Sequence, residues 1–210
     1  MLRANIDALT PDKIEDTIGN IVQESNKLLH VGKSLDHEGE YVSDIQERIR
    51  HYQSVKDKPF VGVTYGYKAL DHATGGHMAG ELWVILGGMK VGKTAILLNM
   101  ANYAWRSGKN VVYFSAEVSK RVIQRRLDGI NAYMSINDLK RGRLTPEDEK
   151  KYQDKLQELS QKKNMFYIVD RPGITTDAIR AKIRELKMQF PIDLVVVDYI
   201  GIVQLPWRVS

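Results

Sequence analysis

Residues 81–105 read ELWVILGGMKVGKTAILLNMANYAW. Glu81 to Leu86 is a short apolar run between Gly80 and the pair Gly87–Gly88, the pattern expected of a buried strand. The next eight residues, Gly87, Gly88, Met89, Lys90, Val91, Gly92, Lys93 and Thr94, fit the spacing of a phosphate-binding loop, Gly-x-x-x-x-Gly-Lys-Thr. Ala95, Leu98, Ala101 and Trp105 then follow helical spacing. Strand, glycine-rich loop and helix in that order are the context such a loop requires. Backbone free of Cβ crowding lets successive N–H groups wrap a polyphosphate, and the helix N-terminus adds partial positive charge. Lys93 would reach the β- and γ-phosphates, and the Thr94 hydroxyl would ligate Mg²⁺. The alternative, a glycine-rich turn with an incidental lysine, does not account for the flanking elements. The stretch therefore points to a nucleotide-binding protein with ATP and Mg²⁺ as cofactors.

Composition sets the bounds around that loop. A chain of 210 residues holds one nucleotide-binding domain and an appendage. No apolar stretch is long enough for a membrane span, and the amino terminus leads into polar sequence without a signal peptide. The chain has no cysteine, which excludes a disulfide framework and a thiolate metal site and fits a reducing cytoplasm. His30, His37, His51, His72 and His77 show no ligand-like spacing with carboxylates, so they read as surface or hydrogen-bonded histidines. The net charge of +5 is uneven: residues 1–50 carry six Lys/Arg against ten Asp/Glu, leaving +9 for the remainder. A basic remainder suits nucleic acid, and equally a solvated surface, so charge alone decides nothing.

In chain order, residues 1–58 read as a helical segment. Thr10-Pro11 starts one amphipathic helix reaching about His30, and a second spans about Val42 to Val55. Two such helices need an outside surface to pack on, the rest of the chain or a neighbouring subunit. Residues 59–210 read as the ATPase domain. Tyr65 and Tyr67 are candidates to stack on an adenine base, with packing at the domain edge the equal alternative. Asn110–Ser115 is a second strand, followed by Glu117 where a helix begins. A carboxylate past the carboxyl end of a strand, beside a phosphate loop, is placed either as a general base or as a helix N-terminal charge. Lys140-Arg141-Gly142-Arg143 reads as a basic loop. Thr145-Pro146 starts another helix, Asn164–Val169 is a third strand, and Thr175 or Thr176 caps a helix that ends before Pro191. Leu194-Val195-Val196-Val197-Asp198 is a buried parallel strand ending in a carboxylate, expected to hold Mg²⁺ through water as the Walker B aspartate.

Five segments in this order, TGGHMAGELWVILGGMKVGKT, VVYFSAEVSKRVIQRRL, GRLTPEDEKKY, GITTDAIRAKIREL and LVVVDYIGIVQLP, resemble the motor domain of DnaB-type replicative helicases. These are hexameric RecA-like ATPases of helicase superfamily 4. The resemblance runs from about Val61 to Pro206. It implies an α/β fold, a RecA-like P-loop NTPase with a mainly parallel sheet flanked by helices, incomplete at the C-terminus and preceded by an N-terminal helical segment. It implies ATP hydrolysis coupled to translocation on single-stranded DNA at a replication fork, in the cytoplasm of a bacterium or among a phage's replication proteins. A hexameric ring, a primase and a helicase loader are the implied partners. The FS-x-E segment separates this family from most phosphate-loop ATPases and gives Glu117 the role of polarising the attacking water. Tyr199 follows the strand aspartate, so no Asp-Glu pair supplies a base there.

The resemblance also marks departures. Gly201 stands where the family has a polar residue, and residues 1–58 are too short for the family's helical collar. A further strand with a γ-phosphate sensor, DNA-binding loops and an arginine finger are expected beyond Asp198, so a chain ending at Ser210 reads as partial and weakly active alone. Two other readings share the loop and the strand aspartate. One is a nucleotide-binding decoy or regulatory partner of a full-length helicase; the other is a RecA-like recombination ATPase.

Overall fold

The computed structural model describes residues 41–42, 44–88 and 90–199. The first expected helix, Gly201 and the apolar residues after it, and Met89 within the loop lie outside them. The chain divides into two units at Lys56/Asp57. In the first, helix α1 (Ile45–Val55) presents Ile45, Ile49 and Tyr52, one helical face, as exposed side chains.

The second unit is built around strand β1 (Val111–Ser115), whose five residues are all buried. Val-Val-Tyr-Phe supplies the β-branched and aromatic side chains that fill a pleated surface. β1 pairs in parallel with β2 (Phe166–Asp170) on one edge and β3 (Leu194–Asp198) on the other, giving the order β2-β1-β3. The period of two divides the core between the faces. Val111, Tyr113, Leu194 and Val196 pack with Leu98, Ala101 and Ile123 on one face, and Val112 and Phe114 pack with Ile174 and Leu186 on the other. The first face is covered by α3 (Lys93–Arg106) and α4 (Lys120–Ala132), the second by α7 (Thr176–Lys187). Fully burying one such side chain stabilises by about 1.5–3 kcal/mol.

Two of the expected helix starts, at Thr145 and Thr175, are present as capped ends. Thr145 Oγ accepts from the Asp148 backbone N–H at the head of α6 (Pro146–Ser160), and Thr175 does the same for Ala178 in α7. α2 (Lys68–Thr74) is a short helix that ends on the left-handed Gly75. The expected basic loop is instead the end of a short helix, α5 (Ile136–Arg141), with Ser135 as its cap and Gly142 left-handed after it. The Lys-Arg pair hides this because the cap sits five residues upstream.

The run Glu81–Leu86 departs from expectation. It joins no strand among the described residues, and Leu82, Val84 and Leu86 are 81%, 56% and 87% exposed. Only Trp83 and Ile85, the alternate side of the run, pack against the first core face. An apolar run promises burial by composition, whereas a strand also needs a hydrogen-bonding neighbour, and that is settled in three dimensions. Tyr65 departs too. It is 5% exposed, its ring lies edge-on to Trp83 at 5.5 Å, and its hydroxyl pairs with His77 Nδ1, so it is a core residue and no platform for a base. Tyr67 is exposed at the head of α2.

Two polar features tie helices together. Asn102 of α3 and Asn131 of α4 are both 3% exposed and exchange amide hydrogen bonds of 3.2 and 2.9 Å. A cavity of about 760 Å³ lies among α4, α5, α6 and β2, lined by Arg121, Arg125, Asp128, Tyr152, Leu156 and Phe166. There the Tyr152 hydroxyl donates to Asp128 at 3.0 Å. Burial pushes Asp128 above the ordinary carboxylate value despite that bond and the nearby Arg125, and burial beside Asp128 pushes the Tyr152 phenol up to about 12. Among the described residues no helix is long and apolar enough to cross a membrane.

Asn102→Ala leaves the Asn131 amide short of partners and is expected to cost about 1–3 kcal/mol in urea unfolding. An acid whose folded value is raised favours the native state while protonated, below its unfolded value near 3.8, and loses that contribution as pH rises through the folded value. Asp128→Asn keeps an acceptor for Tyr152 without the charge. The variant should melt above the parent at pH 7, and the difference should vanish by pH 3 in a series of thermal melts.

Candidate nucleotide site

The three parallel strands finish in one row. Ser115 of β1 is in register with Asp170 of β2 and with Asp198 of β3, so all three carboxyl ends face the same edge. Ligands bind at that edge in open α/β sheets. Each strand end then does something different. Asp170 Oδ2 accepts from the Lys120 backbone N–H at 2.9 Å and so caps α4, a role that its sequence context did not single out. Ser115 Oγ bonds to the Val118 carbonyl and shapes the bend after β1. Asp198 turns toward the head of α3.

The stretch expected to bind phosphate, residues 87–94, leads into that head. Gly92, at φ 97°, is its left-handed N-cap residue, a conformation open to glycine at no steric cost. Lys90 is also left-handed, at φ 60°. The Lys93 ammonium folds over the loop and donates to the carbonyls of Gly87 at 3.0 Å and Gly88 at 2.6 Å. Thr94, one residue further, donates from Oγ1 to Asp198 Oδ1 at 3.3 Å, across 104 residues of chain. Thr94 and Asp198 therefore meet, as the sequence reading requires. A hydroxyl and a carboxylate are the hard oxygen donors that suit Mg²⁺, which is bound through one or two protein groups together with phosphate oxygens rather than in an all-protein cage. Among the described residues no three His, Cys, Asp or Glu side chains gather to hold a metal by themselves. The donor set thus fits a nucleotide-borne Mg²⁺.

Asp198 has a second partner that the sequence did not announce. It is 3% exposed, and its Oδ2 accepts from the Tyr113 hydroxyl at 2.8 Å. Tyr113 stands two positions before the end of β1, in register with Val196, so its long side chain reaches diagonally to Asp198 on the same face. Burial first, then the Asp198 charge, push the phenol far above its ordinary value, so it stays protonated and donates. The only available signal was a hydroxyl-bearing ring within the otherwise apolar run Val111–Phe114, and the sequence reading took that strand as core alone.

Glu117 lies in the bend between β1 and α4 and is exposed. The preceding residue, Ala116, donates its N–H to the Asp198 carbonyl at 2.9 Å, so Glu117 is one residue beyond the last bond from the end of β1 to the end of β3. The structure joins Thr94 to Asp198 by a hydrogen bond and places Glu117 at the same sheet edge without a bond to either. The 760 Å³ cavity is separate, with no residue of the loop, Glu117 or Asp198 in its lining.

Comparison with known proteins follows the same lines. The DnaB-like helicase C-terminal domain family matches residues 62–208. The replicative DNA helicase DnaB of Geobacillus stearothermophilus is 30% identical over 196 residues, covering 90% of this chain and 43% of its own length. The replicative DNA helicase DnaC of Bacillus subtilis is 33% identical over 144 residues, covering 68% of this chain and 31% of its own. The chain thus spans less than half the length of these relatives. Among solved structures, a DnaB-like replicative helicase studied for its interactions with primase superposes with a TM-score of 0.72 at 22% identity, covering 95% of this chain and 49% of its own. At that identity the likeness establishes the RecA-like fold.

The loop's backbone makes a measurable contrast. A Cβ on Gly88 meets only Val91 at an ordinary 3.8 Å, whereas any side chain at Gly92 inherits a φ of +97°. Gly92→Ala should lower urea-unfolding stability by about 1–2 kcal/mol, and Gly88→Ala should be neutral or slightly stabilising.

Proposed function

The chain belongs to the DnaB-like helicase C-terminal domain family, and from that membership and the Thr94–Asp198 junction we propose that it is the nucleotide-binding motor of a replicative DNA helicase. In this reading it binds ATP with Mg²⁺, and hydrolysis drives movement along single-stranded DNA and separation of the duplex by a hexameric ring. Primase and a helicase loader are the partners that accompany such a ring.

The observation that carries the reading is the hydrogen bond between Thr94 and Asp198, which unites the head of the loop helix with a strand end 104 residues away. A glycine-rich turn of purely structural use needs no buried carboxylate aimed at its threonine. Each residue then has a task. The loop N–H groups hold the phosphates, with the α3 dipole behind them. Lys93 exchanges the Gly87 and Gly88 carbonyls for phosphate oxygens and neutralises their charge. The Thr94 hydroxyl and the Asp198 carboxylate would hold the metal. Mg²⁺, when bound there, would neutralise phosphate charge. Glu117, exposed at the same edge, orients the attacking water and accepts its proton at a carboxylate oxygen.

Lys93→Ala should abolish binding of a fluorescent ATP analogue by this chain, while Glu117→Gln should leave it within about twofold of the parent. In phosphate-release assays on a helicase ring containing the chain, Glu117→Gln should slow hydrolysis about 10²–10⁴-fold. Full hydrolysis by the Glu117→Gln ring would remove the general-base assignment.

A further inference from the structure

We propose that Tyr113 is a positioning residue for Asp198: its hydroxyl holds one carboxylate oxygen, so that the other is presented to Thr94 and the metal. The proposal rests on the reading of Asp198 as a metal-holding group. It adds a residue from the middle of the central strand, away from the loop itself.

The geometry is specific. Asp198 has two oxygens, and each has one partner of a different kind. Oδ2 takes the Tyr113 hydroxyl at 2.8 Å, from inside the sheet. Oδ1 takes the Thr94 hydroxyl at 3.3 Å, from the head of α3. The main-chain carbonyl of Asp198 is fixed separately by Ala116 N–H at 2.9 Å. Backbone pairing therefore holds the residue in place, while the rotation of its carboxylate is left to the two hydroxyls. Thr94 is assigned to the metal and must be free to direct its oxygen there. Tyr113 is the partner that stays.

Tyr113 is suited to staying. It is fully buried, its ring lies nearly parallel to that of Phe166 with centroids 6.2 Å apart, and it sits on a strand paired on both edges. A hydroxyl on such a ring has little freedom to leave. An aliphatic residue would pack that face equally well, as Val111 does two positions earlier, so packing alone does not call for the hydroxyl. A buried carboxylate oxygen with no donor is costly, and the usual relief is rotation toward another donor or water. In Tyr113→Phe that rotation would swing Asp198 away from the metal position. Groups that orient a metal-holding residue typically change metal affinity 10–100-fold when removed.

The test uses the whole chain and a fluorescent ADP, titrated with Mg²⁺ and, separately, in EDTA. The parent is expected to bind more tightly with Mg²⁺. Tyr113→Phe should need about 10-fold more Mg²⁺ to reach half of that gain, with affinity in EDTA and the melting temperature close to the parent's. In an Asp198→Asn background, Tyr113→Phe should change the Mg²⁺ requirement no further, because its effect passes through Asp198. Parental Mg²⁺ dependence in Tyr113→Phe overturns the positioning role and leaves the site reading intact. An equal weakening with and without Mg²⁺, or independent effects in the double variant, also overturns it. A parent indifferent to Mg²⁺, or unchanged by Asp198→Asn, overturns the site reading and the positioning role together.

Discussion

A strand hydrogen-bonded on both edges and covered on both faces has no freedom to shift by even one residue, because a slip would exchange its two faces. β1 is that strand. Its odd-numbered side chains, Val111, Tyr113 and Ser115, look toward α3 and α4, and its even-numbered ones toward α7. Register with β1 places Asp170 and Asp198 in one row with Ser115. The site inherits its geometry from this pairing. The loop helix covers the odd face, so the end of β3 on that face meets Thr94, and Tyr113 is near enough to hold the same carboxylate.

Polar contacts inside this apolar frame act as locating pins. The Asn102–Asn131 exchange sets α3 against α4, and the Asp170 cap sets the head of α4 against the end of β2. None of these adds much net stability, since each replaces hydrogen bonds to water. Each is costly to leave half made, and that asymmetry selects one arrangement of helices over near alternatives. The same logic applies at Asp198, where a buried charge is tolerated because both oxygens find donors. Thus the frame comes from burial, and the alignment of loop, strand end and neighbouring helix comes from buried polar groups that accept one partner each.

Much of this was legible in the chain. The glycine spacing of 87–94, the Thr-Pro and Thr-Thr helix starts, and the apolar runs ending at Ser115 and Asp198 are local patterns, and local patterns report what a residue's own backbone needs. Departures, and alternatives the sequence left open, were decided where the outcome depends on a neighbour. Glu81–Leu86 has strand composition, but no strand pairs with it among the described residues. Tyr65 has the look of a base-stacking aromatic, yet the bridge between Val63 and His77 and the ring of Trp83 enclose it. Lys140-Arg141 looks like loop because charge conceals the short capped turn of α5.

By itself the sequence determined the fold class and the family and marked residues 87–94 as a candidate phosphate loop, because spacing along a chain dictates which backbone shapes and side-chain periods are available. It also named Lys93, Thr94, Glu117 and Asp198. Tertiary structure alone decided which of them touch: Thr94 and Asp198 do, and Glu117 stands at the same edge bonded to neither. It alone revealed Tyr113 as a partner of Asp198, since the two are 85 residues apart and become neighbours only through the parallel register of β1 and β3. A hydrogen bond depends on distances of a few tenths of an ångström between strands, and that is information no single strand's sequence carries.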